Sequence, residues 1–231
     1  MLRELLLDVV FPPTCVMCEA PDAWMCQECL FRIELARHAR CPRCGMRSVR
    51  GHVCHGDWPF ASILSLGFYA DPVLRGFVTS YKYRSLVCLE DSWTELLKRF
   101  RSSFLEPWPW AGRSSLTVVA LPSDEHRVRT RAFDHAVALT QVVRDTLVPW
   151  ATITQGLRRL SMASVANATL PADAARWQNV KNAFHIVQPI ATPVLLVDDV
   201  MTTGASLVTA ARALKQAGAT EVHVFTLANA K

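Results

Sequence analysis

Seven of the eight cysteines lie before residue 55, spaced as Cys15-x-x-Cys18, Cys26-x-x-Cys29, Cys41-x-x-Cys44 and a lone Cys54. A two-residue gap lets both thiolates of one turn face a single metal, while N–H groups of the turn donate to the sulfurs. Structural zinc takes four such ligands in a tetrahedron. If consecutive knuckles pair, Cys15, Cys18, Cys26 and Cys29 complete one closed site. Cys41, Cys44 and Cys54 supply three ligands of a second site, with His52, His55 and Asp57 as candidates for the fourth. One or two structural zinc ions are therefore expected. Disulfides are disfavoured in a reducing compartment, and redox pairs do not usually come in threes. A closed four-cysteine site leaves no open position for a catalytic metal. So short a segment has little core of its own, and metal binding would supply folding energy. The eighth cysteine, Cys88, reads as a small buried hydrophobe.

A second constellation lies near the other end, in PVLLVDDVMTTGAS (193–206). An apolar strand runs into two aspartates, then a loop of small and hydroxyl residues, then a helical pattern. Ligands of open α/β sheets sit beyond the C-terminal ends of strands. There Asp198 and Asp199 could accept hydrogen bonds from vicinal sugar hydroxyls and hold magnesium through water. The loop Thr202, Thr203, Gly204, Ala205 and Ser206 offers hydroxyls, backbone N–H groups and a helix start, which together cradle an anion. Hydroxyl acceptors beside a phosphate cradle fit a sugar phosphate. The stretch has neither the Gly-x4-Gly-Lys of a Walker loop nor the Gly-x-Gly-x-x-Gly of dinucleotide folds.

The elements that must position these groups follow from the rest of the pattern. The chain has 231 residues, 51% apolar and 19% charged, enough for one sizeable core and an appended module. A net charge of +5 permits an anionic ligand without requiring nucleic acid. No apolar run is long enough to span a bilayer. The entry MLRELLLDVVF carries Arg3, Glu4 and Asp8 and reads as an amphipathic helix, so cytoplasmic residence is the expectation. Composition shifts near residues 57–60, dividing the chain into a cysteine module (1–58) and an α/β domain (59–231).

Within 59–231 strands and helices alternate, which predicts a parallel sheet covered on both faces. Strands are expected at 61–70, 115–122, 151–157, 192–199 and 221–228. Helices are expected at 71–83 (Asp71 capping, Pro72 in the first turn), 90–105, 131–147 and 206–217, with a short one near 172–178. Arg127, Arg129 and Arg131 alternate in a basic turn.

On these motifs the chain resembles the ComF family of competence-related proteins. The likeness runs from LLLDVVFPPTCVMC through the knuckles, YKYR at 81–84 and VVALP with its arginine-rich turn. It ends in VLLVDDVMTTGAS, which resembles the phosphoribosyl-pyrophosphate (PRPP) loop of type I phosphoribosyltransferases. The resemblance implies a zinc ribbon joined to a phosphoribosyltransferase-like α/β domain, with PRPP and magnesium as ligands. It implies that Asp198 and Asp199 contact ribose hydroxyls and that Thr202–Ser206 surround the 5′-phosphate. Leu121–Ser123 would then lie near the pyrophosphate, which Arg127 and Arg131 would neutralise. It further implies a role in DNA uptake, through single-stranded DNA or a partner protein; Trp24, Phe31 and Trp58 could stack on bases or instead form a small core around the metals. The chain departs from the family's Arg-Gly-Phe-Asn-Gln by reading Arg131-Ala132-Phe133-Asp134-His135. Arg176 and Asn179 fit an Arg-x-x-Asn pattern further on.

Overall fold

The computed structural model describes residues 12–41, 44–48, 58–84, 87–123, 134–159 and 183–230. The expected N-terminal helix and the helix near 172–178 lie outside these residues. So do His52, Cys54, His55, Asp57, Arg127, Arg129, Arg131, Arg176 and Asn179.

The α/β domain is built on a five-stranded parallel sheet. Its strands are β1 (Ser62–Phe68), β2 (Thr117–Ala120), β3 (Thr152–Thr154), β6 (Val194–Met201) and β7 (Val222–Asn229), in the order β1-β7-β6-β2-β3. Two further strands, β4 (Leu157–Arg159) and β5 (Phe184–Ile186), form a separate antiparallel ribbon. The segment 151–157, expected as one strand, is therefore split at Gly156: β3 ends in the main sheet and β4 starts the ribbon. The central strands β6 and β7 are apolar and buried on both faces, as a doubly covered sheet requires.

One face carries three helices: α2 (Pro72–Arg84), α3 (Glu90–Ser103) and α4 (His135–Leu147). Asp71 starts α2 as its composition predicts, its carboxylate accepting from the N–H groups of Val73 (2.8 Å) and Leu74 (3.1 Å). Trp93 stacks on Phe77 at 3.9 Å between ring centroids and meets Tyr81 edge-on. The other face is covered by α5 (Ala205–Gln216) and the β4–β5 ribbon. Cys88 is exposed and not buried; it stands in the short 3-10 turn before α3, where Leu89 takes the core position.

The cysteine module packs on the three-helix face. Its short helix α1 (Gln27–Arg32) begins directly after Cys26 and turns Cys29 and Leu30 inward. Cys15, Met25, Leu30, Ile33, Ala36 and Ala39 share one apolar cluster with β1, α2 and α3. Polar contacts seal the junction. The Ala36 N–H donates to Leu66 O (2.8 Å), Leu105 N–H to Arg37 O (3.0 Å), and the Glu34 N–H to the Asp71 carboxylate (2.8 Å). Arg99 reaches the Leu30 carbonyl. Gly76, an unfavourable residue for a helix interior, sits where Met17 closes on α2. A Cβ there would stand 2.6 Å from the Met17 methyl.

Candidate functional site

The first knuckle pair assembles. The sulfurs of Cys15, Cys18, Cys26 and Cys29 all lie within 4.8 Å of one another. Cys18 and Cys26 sulfurs are 3.6 Å apart, close to the ~3.8 Å edge of a tetrahedron with 2.3 Å zinc–sulfur bonds. The Cys26 N–H points at the Cys15 sulfur (3.4 Å), the backbone donation that stabilises a thiolate. Four sulfurs, half of them buried, fit a closed structural zinc site. Cys41 is buried and Cys44 exposed on the next knuckle.

The second constellation gathers at the C-terminal edge of the sheet. β6 does not stop at the aspartates but continues to Met201, with Asp198 opposite Thr226 and Val200 opposite Ala228 on β7. Successive strand residues leave opposite faces, so the two carboxylates have different surroundings. Asp199 turns under the helices, buried. The Lys82 ammonium lies 2.8 Å from its Oδ1 and the His135 Nε2 lies 3.2 Å from its Oδ2. Burial works against ionisation here, but the His135 ring and the Lys82 ammonium outweigh it and hold Asp199 below the usual carboxylate range. Asp198 is half-buried, and its Oδ1 accepts the N–H of Asp199 (2.8 Å). Burial and the neighbouring Asp199 charge push Asp198 well above the ordinary value, against the pull of Lys82.

Beyond Met201 the loop turns through Gly204, whose φ of +78° is left-handed, into the first turn of α5. Thr202 is exposed, and the Thr203 hydroxyl accepts the Ala205 N–H at 3.4 Å. Ala205 is buried and Ser206 half-buried at the helix start. The residues Leu121–Ser123 follow β2 at the same edge: the Leu121 N–H donates to Val197 O at 2.8 Å, one residue before Asp198. Pro122 and Ser123 line a cleft of about 470 Å³ that also takes Asp134, Gln155, Arg158 and Arg159. The sequence-predicted Asp198, Thr202–Ser206 and Leu121–Ser123 thus share one edge.

Two residues of this site went unassigned in the sequence: Lys82, inside YKYR, and His135, noted only as a departure. Each carried a signal. Lys82 directly follows the core residue Tyr81 on α2. Asp134, part of the departure from the family pattern, is the N-cap of α4. Its carboxylate accepts from Ala136 (3.1 Å) and Val137 (3.4 Å), and the cap aims the next residue, His135, at Asp199. Tyr81 closes the cluster, its hydroxyl 3.4 Å from His135 O, and burial raises it above its ordinary value. Of the three stacking candidates, Phe31 is exposed, Trp24 packs against the module's apolar cluster, and Trp58 packs on the α5 side.

Residues 6–56 match the double zinc ribbon domain, and residues 188–231, which hold β6, α5 and β7, match the phosphoribosyl transferase domain. No curated protein matches the chain. The molecule therefore combines an N-terminal cysteine-rich zinc-binding module with an α/β domain of phosphoribosyl transferase type.

Proposed function

We propose that the chain binds PRPP with magnesium at the end of β6 and acts in the cytoplasm in DNA uptake, as its resemblance to the ComF family implies. The observation that carries this is the order of groups along one edge: Asp198, then the left-handed Gly204, then the start of α5, with Leu121–Ser123 alongside. In this assignment Asp198 accepts the ribose hydroxyls, and Asp199, paired with Lys82 and hydrogen-bonded to His135, fixes the strand end from behind. Thr202, Thr203 and the first N–H groups of α5 hold the 5′-phosphate. Magnesium, carried with PRPP, would screen the pyrophosphate charge. Calorimetry with PRPP and magnesium tests the site. Asp198→Asn should weaken binding at least tenfold, and equal affinity in wild type and variant would sink the proposal.

Two alternatives use the same site: a PRPP-sensing regulator, which binds without turnover, and a transferase reaction. Pyrophosphate would leave as a nitrogen acceptor attacks C1 of the ribose, with Arg127 and Arg131 neutralising the leaving group. A pyrophosphate-release assay across nucleobase and amine acceptors decides it, and no turnover with any acceptor counts against it.

Single-stranded DNA as a partner is favoured by a separate observation. A groove of about 830 Å³ between the zinc module and α3 is lined by Arg37, Arg40, Lys98 and Arg99, opposed by Glu34 and Glu95. Arg99 stacks on exposed Phe31 at 4.6 Å, and Arg40 lies 5.9 Å over the Phe68 ring. Cations interleaved with aromatic rings suit a single strand. Binding should weaken steeply with salt and drop several-fold in Arg37→Ala/Lys98→Ala. No binding at low salt would exclude direct contact.

A further inference from the structure

The loop Thr202–Ser206 contains no side chain large enough to hold it in shape, and its turn depends on a glycine at φ +78°. Glycine leaves such a conformation readily. What stands against the loop comes from outside the α/β elements. A Cβ on Gly204 would lie 2.9 Å from Cη2 of Trp58, 3.3 Å from Cζ3 and 3.6 Å from Cζ2. The indole edge therefore fills the space beside the Gly204 Cα. Trp58 is itself held edge-to-face on Phe60, centroids 5.6 Å apart at 87°, and Phe60 is buried in the α5-side core. Trp58 precedes β1 and follows Cys54 by four residues in the chain.

We infer that Trp58 is a positioning residue for the phosphate loop, and that the connection from the zinc module thereby sets the loop's affinity. The inference rests on the PRPP assignment above. With the ring in place, Gly204 has one conformation and the N–H groups that follow it are preorganised. Without the ring, the loop must be ordered by the ligand, and that cost appears as weaker binding. Trp58 need not touch the ligand.

The test uses the full-length, zinc-loaded protein. PRPP with magnesium is titrated calorimetrically into wild type, Trp58→Phe and Trp58→Ala, with a melting curve for each. The expected result is a roughly five- to tenfold loss of affinity in Trp58→Ala and near wild-type affinity in Trp58→Phe, which keeps a ring. Wild-type affinity in a folded Trp58→Ala overturns the inference and leaves the PRPP assignment standing. Absence of binding in the wild type removes both. Should Trp58→Ala fail to fold, Trp58→Leu, which keeps an apolar side chain but no ring, is titrated in its place. A roughly five- to tenfold loss of affinity supports the inference, and wild-type affinity overturns it.

Discussion

The zinc knuckle pair and the end of β6 place their chemistry in opposite ways. Cys15, Cys18, Cys26 and Cys29 come from one 15-residue stretch and converge within 4.8 Å through local turns and a six-residue helix. Their ligands are alike, and the site is closed. At β6 two adjacent carboxylates diverge. Asp199 is claimed by Lys82 from α2 and His135 from α4, while Asp198 stays at the strand edge beside a loop that Trp58 backs. Sequence proximity makes a site where the motif folds on itself. It does not where a strand sends neighbouring residues to opposite faces.

Breaking the local site should have the largest effect. Cys29→Ser, or chelation of the metal, removes a binding free energy on the order of 10 kcal/mol. It should also collapse the cluster that Met25, Leu30 and Ile33 share with α2 and α3. Zinc stoichiometry and the thermal melt report both, and a zinc-free variant with a wild-type melt would show the module to be metal-independent.

The two aspartates should then separate. Asp199→Ala leaves Lys82 and His135 without their shared partner and should cost about 3 kcal/mol of stability. Asp198→Ala should leave the melt within about 1 kcal/mol of wild type while abolishing PRPP binding. Equal destabilisation by the two would mean that the carboxylates share one environment.

The seam between the regions should respond to acid. Burial would raise the buried Glu106 carboxyl, but the Arg47 guanidinium at 2.7 Å, the Ala39 N–H at 3.2 Å and nearby His38 hold it below the usual carboxylate range. A folded-state value below the unfolded one contributes stability above the ordinary carboxylate pKa of about 4.3, and that contribution is lost as pH falls below it. Glu106→Gln should lower stability by roughly 1–2 kcal/mol at neutral pH and flatten the acid limb of a melt series. An unchanged limb would assign acid sensitivity to the thiolates instead.

Gly76→Ala should have the smallest effect. Helix propensity favours alanine by about 1 kcal/mol, and the atoms in the way are the movable end of Met17. The two should nearly cancel in a denaturant titration. A loss of several kcal/mol would show that the module cannot shift on α2.

The alternating pattern and the capping Asp71 made β1, α2 and α3 legible, and apolar runs with small-residue turns did the same for β2, β6, α5 and β7. The break at Gly156 was not legible, because only pairing with Phe184–Ile186 pulls Leu157–Arg159 out of the main sheet. By itself the sequence determined the residue chemistry: sulfur knuckles suited to a metal, and an acidic strand end followed by a loop of small and hydroxyl residues. Residue chemistry and short spacing suffice for that. The tertiary structure alone decided that Asp199 pairs with Lys82 and hydrogen-bonds His135, and that Trp58 stands on Gly204. Those contacts join residues 64, 117 and 146 positions apart, and only the packing of helices and linker onto a completed sheet brings them within reach.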